Sequence, residues 1–324
     1  MIHPNLLVAT DLLPKSQSAV VRAAILARNH GANVTLLHAV PNETSSEQAN
    51  VLARAAARAL RQIARDAIWT GVPTPNTVVS VGSPPRVIAE TADALHADLI
   101  VIGPHAPRGA RETITEGFTG TVAAKLLAGR ICPVLIAREP ARQAYSRVLM
   151  ALDLSATSGA VIRAAESLVL VPHADASVLH AFDEPYQGLG DHGNISGATS
   201  SRYKSLWSSH ATVSVRTLLR RASCDFARYG IQIDDNTPTR AILDAMKHQE
   251  PDLLVMGTRG RGPLRRALLG SIANEVLSEA WCDVFVVPEG SFERVAAGLP
   301  ATIAFRRPDG EGHSRSPVQW RPPG

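Results

Sequence analysis

After the apolar run Leu253-Leu254-Val255-Met256 the chain reads Gly257-Thr258-Arg259-Gly260, then nine residues, then Gly270-Ser271 at the head of an amphipathic stretch. Residues of these types at this spacing suit the holding of phosphate. Glycines permit positive φ and let a backbone approach an anion closely. Gly270-Ser271 would place N–H groups and a hydroxyl at a helix N-terminus, where the macrodipole favours negative charge. Arg259, Arg261, Arg265 and Arg266 add the positive charge that polyphosphate needs. The spacing is neither that of the P-loop nor that of the dinucleotide fingerprint. A second candidate is Asp153, which closes the run Val148-Leu149-Met150-Ala151-Leu152. A carboxylate there can accept hydroxyl hydrogen bonds from a sugar, or it can serve an Asx turn or helix N-cap at a strand-to-helix junction. Phosphoryl transfer would add a Mg²⁺-binding carboxylate and a base beside the terminal phosphate. Asp283 and Glu289 fall at the wrong end of the last strand or beyond it, so no catalytic residue and no metal ligand is assigned.

These residues sit in a chain that is written twice. Asp11 stands 27 residues before His38, and Asp153 stands 27 residues before His180. Gly82-Ser83-Pro84 precedes Gly103 by 21 residues, as Asn236-Thr237-Pro238 precedes Gly257, and Gly120-Thr121 precedes Cys132 by 12, as Gly270-Ser271 precedes Cys282. Two copies of a unit of about 145 residues make each copy a control for the other. In each, short continuous apolar runs mark strands buried on both faces, and they alternate with amphipathic helices. The first copy gives strands at Leu6 to Thr10, Val34 to Ala39, Thr77 to Val81, Leu99 to Ile102 and Val134 to Ala137. The second gives Val148 to Leu152, Ser177 to Ala181, Ile231 to Asp234, Leu253 to Met256 and Val284 to Val287. The long helix of the first copy is expected from Ser46 to Trp69, with Val51, Leu52, Ala55, Ala59, Leu60 and Ile63 on its buried face; its partner is expected from Ala211 to Tyr229. This alternation predicts two tandem doubly wound α/β domains, each with a five-stranded parallel sheet, over residues 1–143 and 144–289, with ligands at the carboxyl ends of the strands. His180 lies within a strand and reads as a satisfied core residue. Between its second strand and Asn236 the second copy is 12 residues longer than the first, and the stretch Pro185 to Ser200 there is read as a surface loop, with a lid as the alternative.

Composition narrows the classes. The chain has 324 residues, 45% hydrophobic and 19% charged, with a net charge of +4. From Gly290 the pattern dissolves into Gly, Pro, Ser and Arg, and residues 290–324 are expected to form a disordered tail. Five arginines in that stretch against Glu293, Asp309 and Glu311 leave it at +2. The repeats are thus nearly neutral, which argues against a specific nucleic-acid surface. Three cysteines, Cys132, Cys224 and Cys282, lack disulfide or metal spacing. No signal segment or membrane span is evident, so a cytoplasmic address is expected.

The Gly-x-x-Gly-x9-Gly-Ser spacing, the strand ending in Asp153 and the Leu179-His180 pair together resemble the universal stress protein family, over about residues 3–289. The resemblance implies the nucleotide α-hydrolase-like topology of that family and an adenine-nucleotide site in the second copy, for ATP, ADP or AMP, with or without Mg²⁺. Position by position it implies Asp153 at the adenosine, the Ala181 backbone at the adenine edge, and Met256 and Gly257 beside ribose and phosphates. Arg259, Gly260, Gly270, Ser271 and Ile272 would cradle the phosphates. It also implies that the halves pair through their last strands as a pseudo-dimer within one chain; a homodimer of chains is conceivable but nothing in the residues supports it. The first copy keeps Asp11, Ala39, Gly103, Gly120 and Thr121, but Ala106 replaces the second glycine, four residues are added before Gly120, and Glu112 and Glu116 bring negative charge. A weakened or empty first site is therefore expected. The implied function is a nucleotide-responsive stress switch or interaction module without dedicated catalysis. Slow ATP hydrolysis or phosphotransfer, and a nucleotide-free scaffold, are the alternatives.

Overall fold

A computed structural model describes residues 3–42, 46–104, 121–138, 140–182, 197–222, 226–258 and 270–292. The chain divides into two compact units, one containing Met1–Ala144 and the other Tyr145–Glu289.

In the first unit β1 (Asn5–Ala9) leads to α1 (Gln17–His30), β2 (Asn33–Val40), α2 (Ser46–Ala64), β3 (Asn76–Val81), α3 (Pro84–Ala94), β4 (Leu99–Ile102), α4 (Val122–Gly129) and β5 (Val134–Ile136). All pairings in this unit are parallel, in the order β3-β2-β1-β4-β5. Leu7, Val8, Leu36, Leu37 and Leu99–Val101 are almost fully buried, which is why these strands read as continuous apolar runs rather than alternating ones. On α1 the face Ala19, Ala23, Leu26 and Ala27 is buried, and Gly31 stops the helix in the left-handed conformation at φ 64°.

The second unit repeats the plan with β6 (Arg147–Ala151), α5 (Ser158–Leu168), β7 (Asp175–Ala181), α6 (Gly197–Arg221), β8 (Tyr229–Asp234), α7 (Pro238–Gln249), β9 (Leu253–Gly257), α8 (Ser271–Glu279) and β10 (Asp283–Val287). Its parallel order is β8-β7-β6-β9-β10. From β6 the chain winds outward through β7 and β8, then crosses back to β9 on the other side of β6. That reversal makes the carboxyl ends of β6 and β9 the switch point of the sheet, where the crossover connections leave a crevice.

Two long-helix expectations need correction. α2 ends at Ala64, and Ala67–Trp69 form a separate 3-10 turn. Asp66 stops the helix by accepting the Ile68 N–H at 3.0 Å, and the Trp69 indole donates to Ile63 O at 2.9 Å. The buried face of α2 is Ala49, Ala56, Leu60 and Ala64, whereas Val51 is 57% and Leu52 46% exposed and Ala55 is exposed. Small alanines set the helix close to the sheet and turn the larger Val51 and Leu52 outward. In the second unit α6 begins at Gly197, within the span expected to be loop, and Tyr229 belongs to β8 rather than to the helix.

Candidate functional site

The first side of the crevice is the loop after β6. Leu152 N–H still pairs with Leu179 O at 3.0 Å, so the strand direction holds up to Asp153. Leu154 then takes φ 56°, a left-handed conformation that costs a leucine strain and that turns the chain sharply toward α5. Asp153 Oδ1 accepts the Ser155 N–H at 3.1 Å and the Ser158 hydroxyl at 2.8 Å, so the Asx turn is present. Asp153 Oδ2 is buried and has no hydrogen-bond partner. One oxygen of the carboxylate builds the loop; the other is buried and unsatisfied beneath it. An unsatisfied buried acceptor costs about 1–3 kcal/mol, which a donor such as a sugar hydroxyl would relieve.

Beside it stands the end of β7. His180 Nδ1 lies 2.8 Å from Leu152 O, which ties β7 to the loop before Asp153 and matches the core role expected of it. Ala181, half-buried, is the last residue of the strand, and Phe182 N–H continues the ladder to Asp234 O at 3.1 Å.

Across the switch point β9 ends in buried Met256 and half-buried Gly257. Thr258 is buried and joins three elements: its N–H donates to Val287 O at 3.3 Å, and its carbonyl accepts the Gly270 N–H at 3.0 Å. The start of α8 is thereby pinned to the end of β9. Gly270 is the N-cap, with no side chain to bond the N–H groups of the first turn. Ser271 is exposed and Ile272 half-buried at that same terminus. The structure thus brings Asp153, Ala181, Met256, Gly257, Gly270, Ser271 and Ile272 to the carboxyl end of one sheet. Arg259 and Gly260, with the other loop arginines, lie outside the described residues.

The first unit has the same backbone and a different polar arrangement. Leu12 repeats the left-handed turn at φ 64°, and His38 Nδ1 lies 2.9 Å from Thr10 O. Asp11, however, is exposed and among the described residues accepts only the Leu13 N–H, at 2.9 Å. Ser16, the counterpart of Ser158, bonds to the Thr10 hydroxyl at 2.8 Å and to Leu13 O at 2.9 Å instead of to the carboxylate. A Cβ on Gly103 would come within 2.8 Å of Ser16 Cα, so this loop closes tightly over the end of β4. The helix start differs too: Thr121 is buried and caps α4 by accepting the Ala124 N–H at 3.2 Å. Ala106, Glu112, Glu116 and Gly120 lie outside the described residues.

Sequence reasoning missed Ser158 and Thr258. Ser158 was recoverable, because an Asp followed five residues later by Ser recurs at Asp11 and Ser16. Thr258 had no comparable signal, since its role runs through backbone atoms. Among the described residues no group of His, Cys, Asp and Glu could hold a metal ion, and no helix is long and apolar enough to cross a membrane.

The model of the universal stress protein family matches residues 3–138 and again 144–288. Among curated relatives, universal stress protein Sll1388 of Synechocystis is 23% identical over 150 residues, covering 44% of this chain and 97% of that protein. Universal stress protein MJ0531 of Methanocaldococcus jannaschii is 42% identical over 53 residues, 16% of this chain, and universal stress protein Slr1101 of Synechocystis is 44% identical over 52 residues, also 16%. The chain spans only 31% and 48% of those last two relatives. A universal stress protein from Archaeoglobus fulgidus is similar in structure at a TM-score of 0.59 and 17% identity, over 88% of this chain and 98% of its own. Protein PA1789 of Pseudomonas aeruginosa is similar at 0.57 and 19%, over 91% and 96%. Matched by the family model in each of its two halves, the chain belongs to the universal stress protein family as a tandem member.

Proposed function

We propose that the second half binds ATP or a related adenine nucleotide and that occupancy biases this unit toward one conformation, making the protein a stress-response switch or interaction module. The observation that carries this reading is the divided carboxylate of Asp153, with Oδ1 engaged by Ser155 and Ser158 and Oδ2 buried without a partner. In this reading Oδ2 accepts a ribose hydroxyl, and the Ala181 backbone meets the adenine edge. Met256 and Gly257 flank the ribose. Arg259, Gly260 and the open N-terminus at Gly270, Ser271 and Ile272 take the phosphates, alone or as a Mg²⁺ complex. The stretch from Gly257 to Ser271 carries four arginines and no acid. Its chemistry is therefore that of holding anionic charge, not of activating water, and supports binding over dedicated catalysis. The first half, with its hydroxyls and helix cap internally bonded, is the weaker or empty site. A cytoplasmic place of action and association with a second copy of the chain belong to the same proposal.

The test is mass spectrometry of small molecules released from the purified, denatured protein, followed by calorimetric titration with ATP and Mg²⁺. About one equivalent of adenine nucleotide per chain is expected, lost in the Gly260→Asp, Gly270→Asp variant. Absence of released nucleotide together with no thermal shift on adding ATP and Mg²⁺ would leave the glycine loop serving the turn alone.

A further inference from the structure

The second half carries an aromatic pair that the first half lacks, next to the expected base position. Phe182 directly follows Ala181 at the end of β7, and its ring stacks with that of Trp207 on α6, centroids 6.5 Å apart and planes 25° from parallel. Trp207 is 45% exposed and Phe182 half-buried, so the pair is not closed into the core. The helix that bears Trp207 packs on β8, β7 and α5. It descends from the carboxyl end of β7 toward the amino end of β8, and the stacking fixes Trp207 at the level of the strand ends. The residues from Gly197 to Leu206 precede Trp207 in the helix. At 1.5 Å rise per residue they add roughly 15 Å of helix before Trp207. The Phe182–Trp207 pair thus ties α6 to the end of β7.

The first half offers an internal comparison. In His38-Ala39-Val40 against His180-Ala181-Phe182, valine takes the place of phenylalanine. Leu52 stands four residues before buried Ala56, as Trp207 stands four before buried Ala211, so leucine takes the place of tryptophan. α2 also begins at Ser46, leaving fewer helical residues before Leu52. Both aromatic substitutions and the longer helix therefore occur in the half that has the unpartnered Asp153 oxygen and the open glycine N-cap.

We infer that Phe182 and Trp207 form an aromatic wall on the base side of the second-half cleft and select a purine over a pyrimidine by stacking. The inference rests on the nucleotide reading above and adds to it a determinant of base preference. Stacking grows with ring area, so a two-ring base gains more from such a wall than a one-ring base, while phosphate contacts are indifferent to it. Trp207 contributes to specificity through the base alone.

The experiment titrates the full chain with ATP, CTP and inorganic tripolyphosphate by calorimetry, for the native protein and for Trp207→Ala, Trp207→Phe and Phe182→Leu. The native protein is expected to prefer ATP over CTP by about ten-fold or more. Trp207→Ala loses most of that preference with unchanged affinity for tripolyphosphate, while Trp207→Phe and Phe182→Leu keep part of it. Native fluorescence falls on adding ATP, and Trp207→Phe abolishes the change. If the native protein binds ATP but the ATP-to-CTP ratio stays the same in Trp207→Ala, the pair only fastens α6 to the sheet and the inference is overturned. If the native protein binds no ATP, the nucleotide reading itself fails and this inference falls with it.

Discussion

Replacing Asp153 by asparagine tests whether its two oxygens have separate tasks. Asparagine keeps one carbonyl oxygen for the Ser155 N–H and the Ser158 hydroxyl, which now lie 3.1 and 2.8 Å from Oδ1. It removes the charge from the buried Oδ2 position, where no partner repays desolvation. The ligand-free protein should therefore keep its urea midpoint to within about 1 kcal/mol or gain stability, whereas Asp153→Ala, which deletes both bonds, should lose about 1–3 kcal/mol. Binding should move the other way. A hydrogen bond to an ionised acceptor is worth about 1.5–3 kcal/mol, so Asp153→Asn should weaken ATP by about 10- to 150-fold. The assay is a cycle by calorimetry: native and Asp153→Asn proteins, each with ATP and with its 2′-deoxy and 3′-deoxy analogues. If Oδ2 takes a ribose hydroxyl, the deoxy analogue that lacks it binds the native protein more weakly, and the variant shows no further loss with that analogue. Asp11→Asn, at an exposed carboxylate, should leave the stoichiometry unchanged. ATP affinity equal to native in Asp153→Asn, or fully additive losses with both analogues, would refute the reasoning.

Burial outweighs the hydrogen bond from the Asn5 N–H (2.7 Å) and raises the Asp98 pKa above its ordinary value, so the folded chain holds that proton to higher pH than the unfolded chain. This contribution favours folding below the ordinary carboxylate range and is lost as pH rises through the raised value; Asp98→Asn should flatten that fall in stability, and a pH profile parallel to the native one would sink the assignment. Thr121→Ala removes the cap of α4 and should cost about 0.5–2 kcal/mol, while Ser271→Ala, at an exposed residue beside a glycine cap, should cost far less; equal losses in thermal unfolding would contradict the difference between the two helix starts. The buried Tyr145 hydroxyl donates to the fully buried Asp283 Oδ2 at 2.7 Å, so Tyr145→Phe should lower stability by about 1–3 kcal/mol in urea, and an unchanged midpoint would argue against it.

Most of the fold was legible because the strands are buried on both faces and can be built only from continuous apolar runs, and because each run occurs twice. Helix faces and ends were less so. Val51 and Leu52 fit the helical period, but the sheet takes the face that brings the backbone closest, which is that of Ala49 and Ala56. Asp66 and the Trp69 indole end α2 by hydrogen bonds that periodicity does not register. In the site, the position of Asp153 was legible from the repeat, but the sharing of its oxygens was not. That sharing depends on Leu154 entering the left-handed region, and leucine is not a residue type that announces it.

The same difficulty explains why the two copies diverge where they do. Both pass through a strained turn after the first strand, and both bring a serine hydroxyl back toward it. In the first unit Thr10 takes that hydroxyl, and Thr121 turns inward to cap its own helix. Every such bond made within the chain is one a ligand cannot make. In the second unit Leu152 stands where Thr10 does, so Ser158 turns to Asp153, and glycine at the N-cap offers the first turn of α8 no capping side chain of its own. A few side chains, with no change in strand order, convert a self-satisfied crest into one with unspent hydrogen-bonding capacity. Leu152→Thr is therefore the substitution that tests this account from the opposite side. By offering Ser158 a new partner it should draw the hydroxyl off Asp153, expose the carboxylate as Asp11 is exposed, and weaken ATP binding without touching the phosphate loop. Retained affinity in a folded Leu152→Thr protein would show that the first unit differs through its loop alone.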